Sequence, residues 1–221
     1  MRMLAAALQK ELQLHWRGRA QLVSFLVFGA VTLLLFSFAI GPDSEALRRH
    51  APGFIWLALM LSSTLTLSES FHAELEMGAL RGLLLLPVDA RAIYYSKALA
   101  NAAVLTLLGM ALLPLAVVLY DIPVAPLPRL VGVVALGALG LAGPGTLYSA
   151  MAAQTRAGQT LMPLLLFPLV VPALLAAVKA TELVLFGDPM GQLGSWRVLL
   201  LAFDGLYWSI CGILFGRIVE D

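Results

Sequence analysis

This 221-residue chain has a single cysteine, Cys211, inside an apolar run. A disulfide framework, a Cys-x-x-Cys redox pair and a Cys-x-x-Cys-His haem attachment within the chain are thereby excluded. Charge is scarce as well. Asp, Glu, Lys and Arg make up 12% of the residues, about half the ~25% usual in soluble proteins. The formal net charge is +1, too small for a nucleic-acid binder driven by bulk positive charge. His15, His50 and His72 stand far apart with no HExxH, so a zinc site has no ligand cluster to start from. Lys10, Lys97 and Lys179 follow Gln9, Ser96 and Val178. None of them closes a GxxxxGK[ST] loop, in which glycines let backbone N–H groups wrap phosphate and lysine neutralises it. A GxSxG nucleophile elbow is also missing, which leaves an intramembrane serine hydrolase without support.

What is abundant is apolar sequence, 61% of residues with a mean hydropathy of +0.92. Such a chain cannot cover itself with polar surface, so its solvent is a bilayer. Uncharged runs at 20–40, 51–68, 98–120, 130–154 and 157–178 are near the ~20 residues a membrane helix needs. A sixth run, 198–215, carries one charge, Asp204. The expectation is an all-α polytopic membrane protein of six helices forming one domain over 1–221. The first run exceeds the ~7–15 residues of a signal-peptide core and further spans follow it, so it reads as a retained helix.

Six spans put both termini on one side. That side would hold Arg2, Lys10, Arg17, Arg19, Arg81, Arg91, Lys97, Arg156 and Arg217, against Arg48, Arg49, Arg129, Lys179 and Arg197 on the other. The positive-inside rule then favours N-in, C-in. Leu4, Leu8, Leu12 and His15/Trp16 recur at helical spacing with polar residues opposite. This fits an interfacial helix within 1–19; the alternative is a frayed tail. The fourth span is rich in small residues, which let helices approach closely in lipid, and Gly143-Pro144-Gly145 should break or kink it. The fifth holds Pro163, Pro168 and Pro172, read either as a hinge or as shaped packing. In the outer loop 179–197, residues 181–186 are a candidate re-entrant stretch.

Residues 69–97 form the longest polar segment after residue 20, with Glu69, Glu74, Glu76, Arg81, Asp89, Arg91 and Lys97. Phe71, Leu75, Ala79, Leu83 and Leu86 fall on one helical face. Pro87 stops that helix, and Asp89 is placed to cap another starting at Ala90. Tyr94, Tyr95 and Lys97 then suit the membrane interface. Gly78 and Gly82 each weaken the first helix by up to ~1 kcal/mol, so it needs a partner or the bilayer surface. Glu74 and Glu76 are repelled by an anionic leaflet, which speaks for a protein partner.

The run Phe71-His-Ala-Glu-Leu-Glu-Met-Gly-Ala-Leu-Arg-Gly-Leu-Leu-Leu-Leu-Pro87-Val, with Ile93-Tyr94 and Lys97, resembles the signature of ABC-2-type exporter permeases. Phe36-Ser37-Phe38, Gly41-Pro42, Pro52-Gly53, Trp56, Leu161-Met-Pro-Leu-Leu-Leu-Phe-Pro168 and Leu201-Ala-Phe-Asp204 are more closely similar to the CcmB family of cytochrome c maturation permeases. The resemblance covers residues 10–221. It implies a six-helix half-transporter paired with a second copy of itself in the bacterial inner membrane. A cytoplasmic coupling segment, 69–89, would engage an ATPase subunit, CcmA, through Glu69, Phe71, Glu74, Leu75, Glu76, Gly78, Leu80, Arg81 and Pro87. CcmC, CcmD and the haem chaperone CcmE would complete the system, with ATP and magnesium held by the ATPase. The chain itself would bind no cofactor and be no enzyme, with haem as a possible substrate. The implied task is haem export or release of the loaded chaperone.

Three further features stand apart. Asp204 should face protein or water with a hydroxyl or indole partner, because a carboxylate at the bilayer centre costs about 2.5–3.5 kcal/mol on insertion scales. It serves either helix packing or a proton or substrate role. His50, beside Arg48 and Arg49, is a haem-ligand candidate with arginines for propionates; a solvated loop is the plainer reading. Ser62, Ser63, Thr64, Thr66 and Ser68 line a polar path or bond to neighbouring helices. The competing function is an ion- or proton-coupled carrier, which usually shows embedded charges and inverted repeats. Asp204 is the one such charge, and no repeat is visible.

Overall fold

The computed structural model describes residue 11 and residues 19–76, 90–124, 126–153 and 158–220. Six helices account for almost all of them: α1 Arg19–Ile40, α2 Ser44–Glu76, α3 Ala90–Tyr120, α4 Leu127–Ala153, α5 Gly158–Phe186 and α6 Leu193–Glu220. There is no strand among the described residues. Each helix contains a stretch long and apolar enough to cross a bilayer. The expected all-α, six-span membrane fold is therefore what the chain adopts. The proposed interfacial helix lies outside the described residues apart from Glu11, as do the cap at Asp89 and the stop at Pro87.

Local chemistry sets the reversals. The backbone at Gly41 is left-handed (φ 78°) and its N–H returns to the Ser37 carbonyl at 3.1 Å, a glycine C-cap ending α1. Asp43 then caps α2, its Oδ1 accepting from the N–H groups of Glu45 (3.1 Å) and Ala46 (3.0 Å). Gly187 (φ 102°) ends α5 in the same way, and the Asp188 carboxylate accepts from the N–H groups of Gln192 and Leu193 at 2.8 and 2.9 Å, opening α6.

The core gathers on α4, which packs against α2, α3, α5 and α6. Its small residues explain why. The Trp56 ring occupies the place of any side chain at Gly137, and Leu67 does the same at Gly145. At Gly143 an added Cβ would stand 2.7 Å from the Trp208 indole. The small-residue face thus seats large side chains from α2 and α6, as close packing in lipid requires.

Two expectations are corrected. Gly143-Pro144-Gly145 does not break α4, which is helical from Leu127 to Ala153. Neighbouring side chains supply hydrogen bonds to this part of the helix, as proline in a membrane helix requires. Residues 181–186 are not re-entrant but form the last turns of α5, and Thr181 within them accepts a hydrogen bond from Trp56 Nε1 at 2.9 Å. α5 also continues through Pro163, Pro168 and Pro172.

Candidate functional site

The polar segment of interest begins on α2. That helix does not stop where the uncharged run ends at Ser68 but continues to Glu76. Glu69, Phe71, Glu74, Leu75 and Glu76 therefore stand on an extension of the second span rather than on a separate helix. Gly78, Leu80, Arg81 and Pro87 lie outside the described residues. On the far side of the segment, α3 is helical from Ala90, the first described residue there.

Both flanks are tied to the rest of the bundle by polar contacts. The Ser149 hydroxyl of α4 donates to the Leu67 carbonyl at the end of the second span. On α3, Tyr94 donates to the Gly143 carbonyl at 3.0 Å, and Asn101 Nδ2 donates to Thr146 Oγ1 at 3.0 Å. Tyr95 donates to the Trp208 carbonyl of α6 at 3.3 Å. Below these bonds Ile93, Tyr94, Ala98, Leu147, Ala150, Cys211 and Phe215 close into a second apolar cluster. The two helices entering and leaving 77–89 are thus both bonded to α4, within about three turns of Ala153.

Lys97 corrects an expectation. Instead of anchoring at the interface it is 2% exposed, with Nζ 3.0 Å from the Glu11 carboxylate, itself 8% exposed. The pair joins the N-terminal segment to α3 one turn before Asn101. Sequence reading placed the third span's edge at Ala98 and so set Lys97 outside it. The overlooked signal was the pairing of Tyr94, Lys97 and Asn101 at helical spacing, a polar stripe on one face of α3.

The other candidates are dispersed. His50 sits in the first turns of α2, exposed, with its ring 6.0 Å from that of Phe54. It is on a helix rather than a loop. Arg48 is engaged by Asp121. Arg48 and Arg49 line an open cavity of about 670 Å³ with Glu45, Asp121, Ile122, Pro123, Glu182 and Phe186, and His50 is not in its wall. Acidic groups share that cavity with the arginines, so its electrostatics are mixed rather than anion-selective. The hydroxyls of α2 serve its own backbone and its packing. Ser63, Thr64, Thr66 and Ser68 donate back to carbonyls of their own helix, and Ser62 reaches a neighbour, the Phe25 carbonyl of α1 at 3.3 Å.

Asp204 is buried near the middle of α6, against Gly140 of α4 and Ala173 of α5. It faces protein, as expected, but without the expected hydroxyl or indole partner. The nearby Trp208 indole donates instead to the Leu139 carbonyl at 3.0 Å. Neither carboxyl oxygen of Asp204 has a hydrogen-bond partner among the described residues.

Comparison with known proteins agrees with this architecture. The family model described as CcmB protein matches residues 2–210. The chain is 30% identical to heme exporter protein B of Pseudomonas aeruginosa over 88% of its own length and 87% of that protein's. It is 32% identical to heme exporter protein B of Paracoccus denitrificans, covering 90% of this chain and 92% of that one. The Haemophilus influenzae protein of the same name is also 32% identical, over 86% and 88%. With six spanning helices and these bacterial relatives, the chain is a multi-pass protein of the bacterial inner membrane. A match of that extent places the chain in the CcmB family.

Proposed function

We propose that the chain is the membrane subunit of an ATP-driven haem-export system serving c-type cytochrome biogenesis. A separate ATPase of the CcmA type hydrolyses ATP with its own magnesium, and this chain contributes the spanning helices. It works as a pair with a second copy, alongside CcmC, CcmD and the haem chaperone CcmE. The cytoplasmic segment 69–89 is the contact with the ATPase, which fits the N-in, C-in orientation. Haem is substrate rather than resident cofactor, either exported or released on the loaded chaperone.

The observation that carries this reading is the unbroken run of α2 beyond Ser68 to Glu76. Eight helical residues at 1.5 Å each add a rigid arm of about 12 Å. Glu69, Glu74 and Glu76 give that arm a charged character unsuited to lipid. Force applied to such an arm passes through Leu67 to Ser149 on α4, while the return helix passes it through Tyr94 and Asn101. This is a packed shear connection, in which sliding at one end moves the other. A carrier driven by Asp204 is less well supported, because that carboxyl is enclosed between three helices rather than open to the cavity.

The test is co-purification. Detergent-extracted protein should retain an ATPase subunit and alter its hydrolysis rate. Charge reversal at Glu74 and Glu76 should weaken that association while leaving the protein inserted. Cytochrome c maturation in a deletion strain should fail with the double reversal and return with wild type. Wild-type ATPase binding by the double reversal would remove the docking assignment.

A further inference from the structure

Asp204 and Pro144 answer one another. A proline at position 144 has no N–H, so the carbonyl four residues earlier, that of Gly140, has lost its intrahelical donor. Pro144 lies well inside α4, where no water reaches the opened carbonyl. The side chain against Gly140 is Asp204: a Cβ built on that glycine would stand 3.1 Å from Oδ1 and 3.2 Å from the Ala173 Cβ. Residue 140 is therefore a place where α6 can come close only because α4 carries no side chain.

The same face of α6 already donates to an α4 carbonyl one residue earlier. Trp208, four residues after Asp204 and on the same face, donates its indole N–H to Leu139. The ionised form of Asp204 can only accept hydrogen bonds, and no donor reaches either oxygen among the described residues. An unpaired charge at that depth is costly. The acid form has an O–H and needs only an acceptor, and Pro144 leaves the carbonyl open on Gly140, the residue Asp204 packs against.

We propose that Asp204 keeps its proton in the membrane and donates a hydrogen bond to the Gly140 carbonyl, replacing the donor that Pro144 removes. Asp204 is then a positioning residue. It completes the hydrogen-bond ladder of α4 from outside, beside the Trp208–Leu139 bond, and it holds α6 at the point where α4 would otherwise expose bare backbone. The contact joins α4, α5 and α6, none of which flanks the 77–89 segment in the chain. Its failure and failure of the proposed ATPase docking are thus separate results.

Two measurements on the full chain in lipid nanodiscs test it. Infrared difference spectra of wild type against Asp204→Asn should show loss of a protonated-carboxyl stretch at neutral pH. Loss of a carboxylate stretch instead would overturn the proposal. Unfolding equilibria in SDS supply the second reading. Asp204→Leu should unfold roughly three- to twenty-fold more readily, the range of one interhelical hydrogen bond in a bilayer. Asp204→Asn, whose amide still donates, should stay close to wild type. Pro144→Ala restores the backbone N–H, so in that background Asp204→Leu should lose most of its effect. Equal losses in both backgrounds, or an Asn variant as weak as the Leu variant, would overturn it. Should Asp204→Leu fail to insert, the Asn variant and the infrared spectrum still decide.

Discussion

α1 and α4 are both apolar and both span the membrane, yet they do opposite work. Only 22% of the α1 span is buried inside the protein, against 72% of the α4 span. Val23, Val27, Val31 and Leu35 of α1 are all exposed, one turn apart, on a face given to lipid. α4 carries glycines where α1 carries valines, and partners on α2, α3 and α6 fill the space or bond to the backbone those glycines leave open. Hydrophobicity therefore says which helices enter the membrane but not which one is central. In a bilayer, where lipid is as apolar as leucine, small size and polar bonding mark the centre.

The contrast can be broken at graded cost, followed by tryptophan fluorescence during SDS unfolding. Lys97→Met leaves Glu11 buried without its cation, and should cost about 3–5 kcal/mol. Adding Glu11→Leu should return much of that loss, since the stranded charge is then gone. Gly137→Val drives a branched side chain into the Trp56 ring and should cost about 1–3 kcal/mol. Gly132→Ala, on the same helix with nothing within 4 Å of an added Cβ, should be neutral or slightly stabilising. Val27→Ala on the lipid face of α1 should change stability by no more than about 0.5 kcal/mol. Should Val27→Ala match Gly137→Val, the distinction between the two helices would fail.

Much of this architecture is legible in the residues. Span number follows from run length. The small residues of the fourth span announced its close packing. Helix ends were harder, because polar residues were taken as marking water. Lys97 and Tyr94 belong to the protein interior, and Lys179 sits within α5, paired with Glu182. Pro144 reads as a break or a kink because a lone helix cannot absorb it, whereas a bundle brings Trp208 and Tyr94 to the surrounding carbonyls and the helix runs on unbroken. The Trp56–Thr181 bond joins residues 125 positions apart, a separation no local pattern reveals. Of the candidate site, the Glu69–Glu76 stretch was visible as charge, but its rigidity was not, since Phe71 had seemed to begin a fresh helix.

The concealed lysine has a consequence for biogenesis. In the N-in, C-in orientation that the positive-inside rule favours, Lys97 is one of the cations that retain its end of α3 on the cytoplasmic side while the polypeptide is threaded into the bilayer. In the mature molecule that charge is 2% exposed and held against Glu11, so it no longer addresses solvent or headgroups. A topological instruction has been converted into an internal fastening.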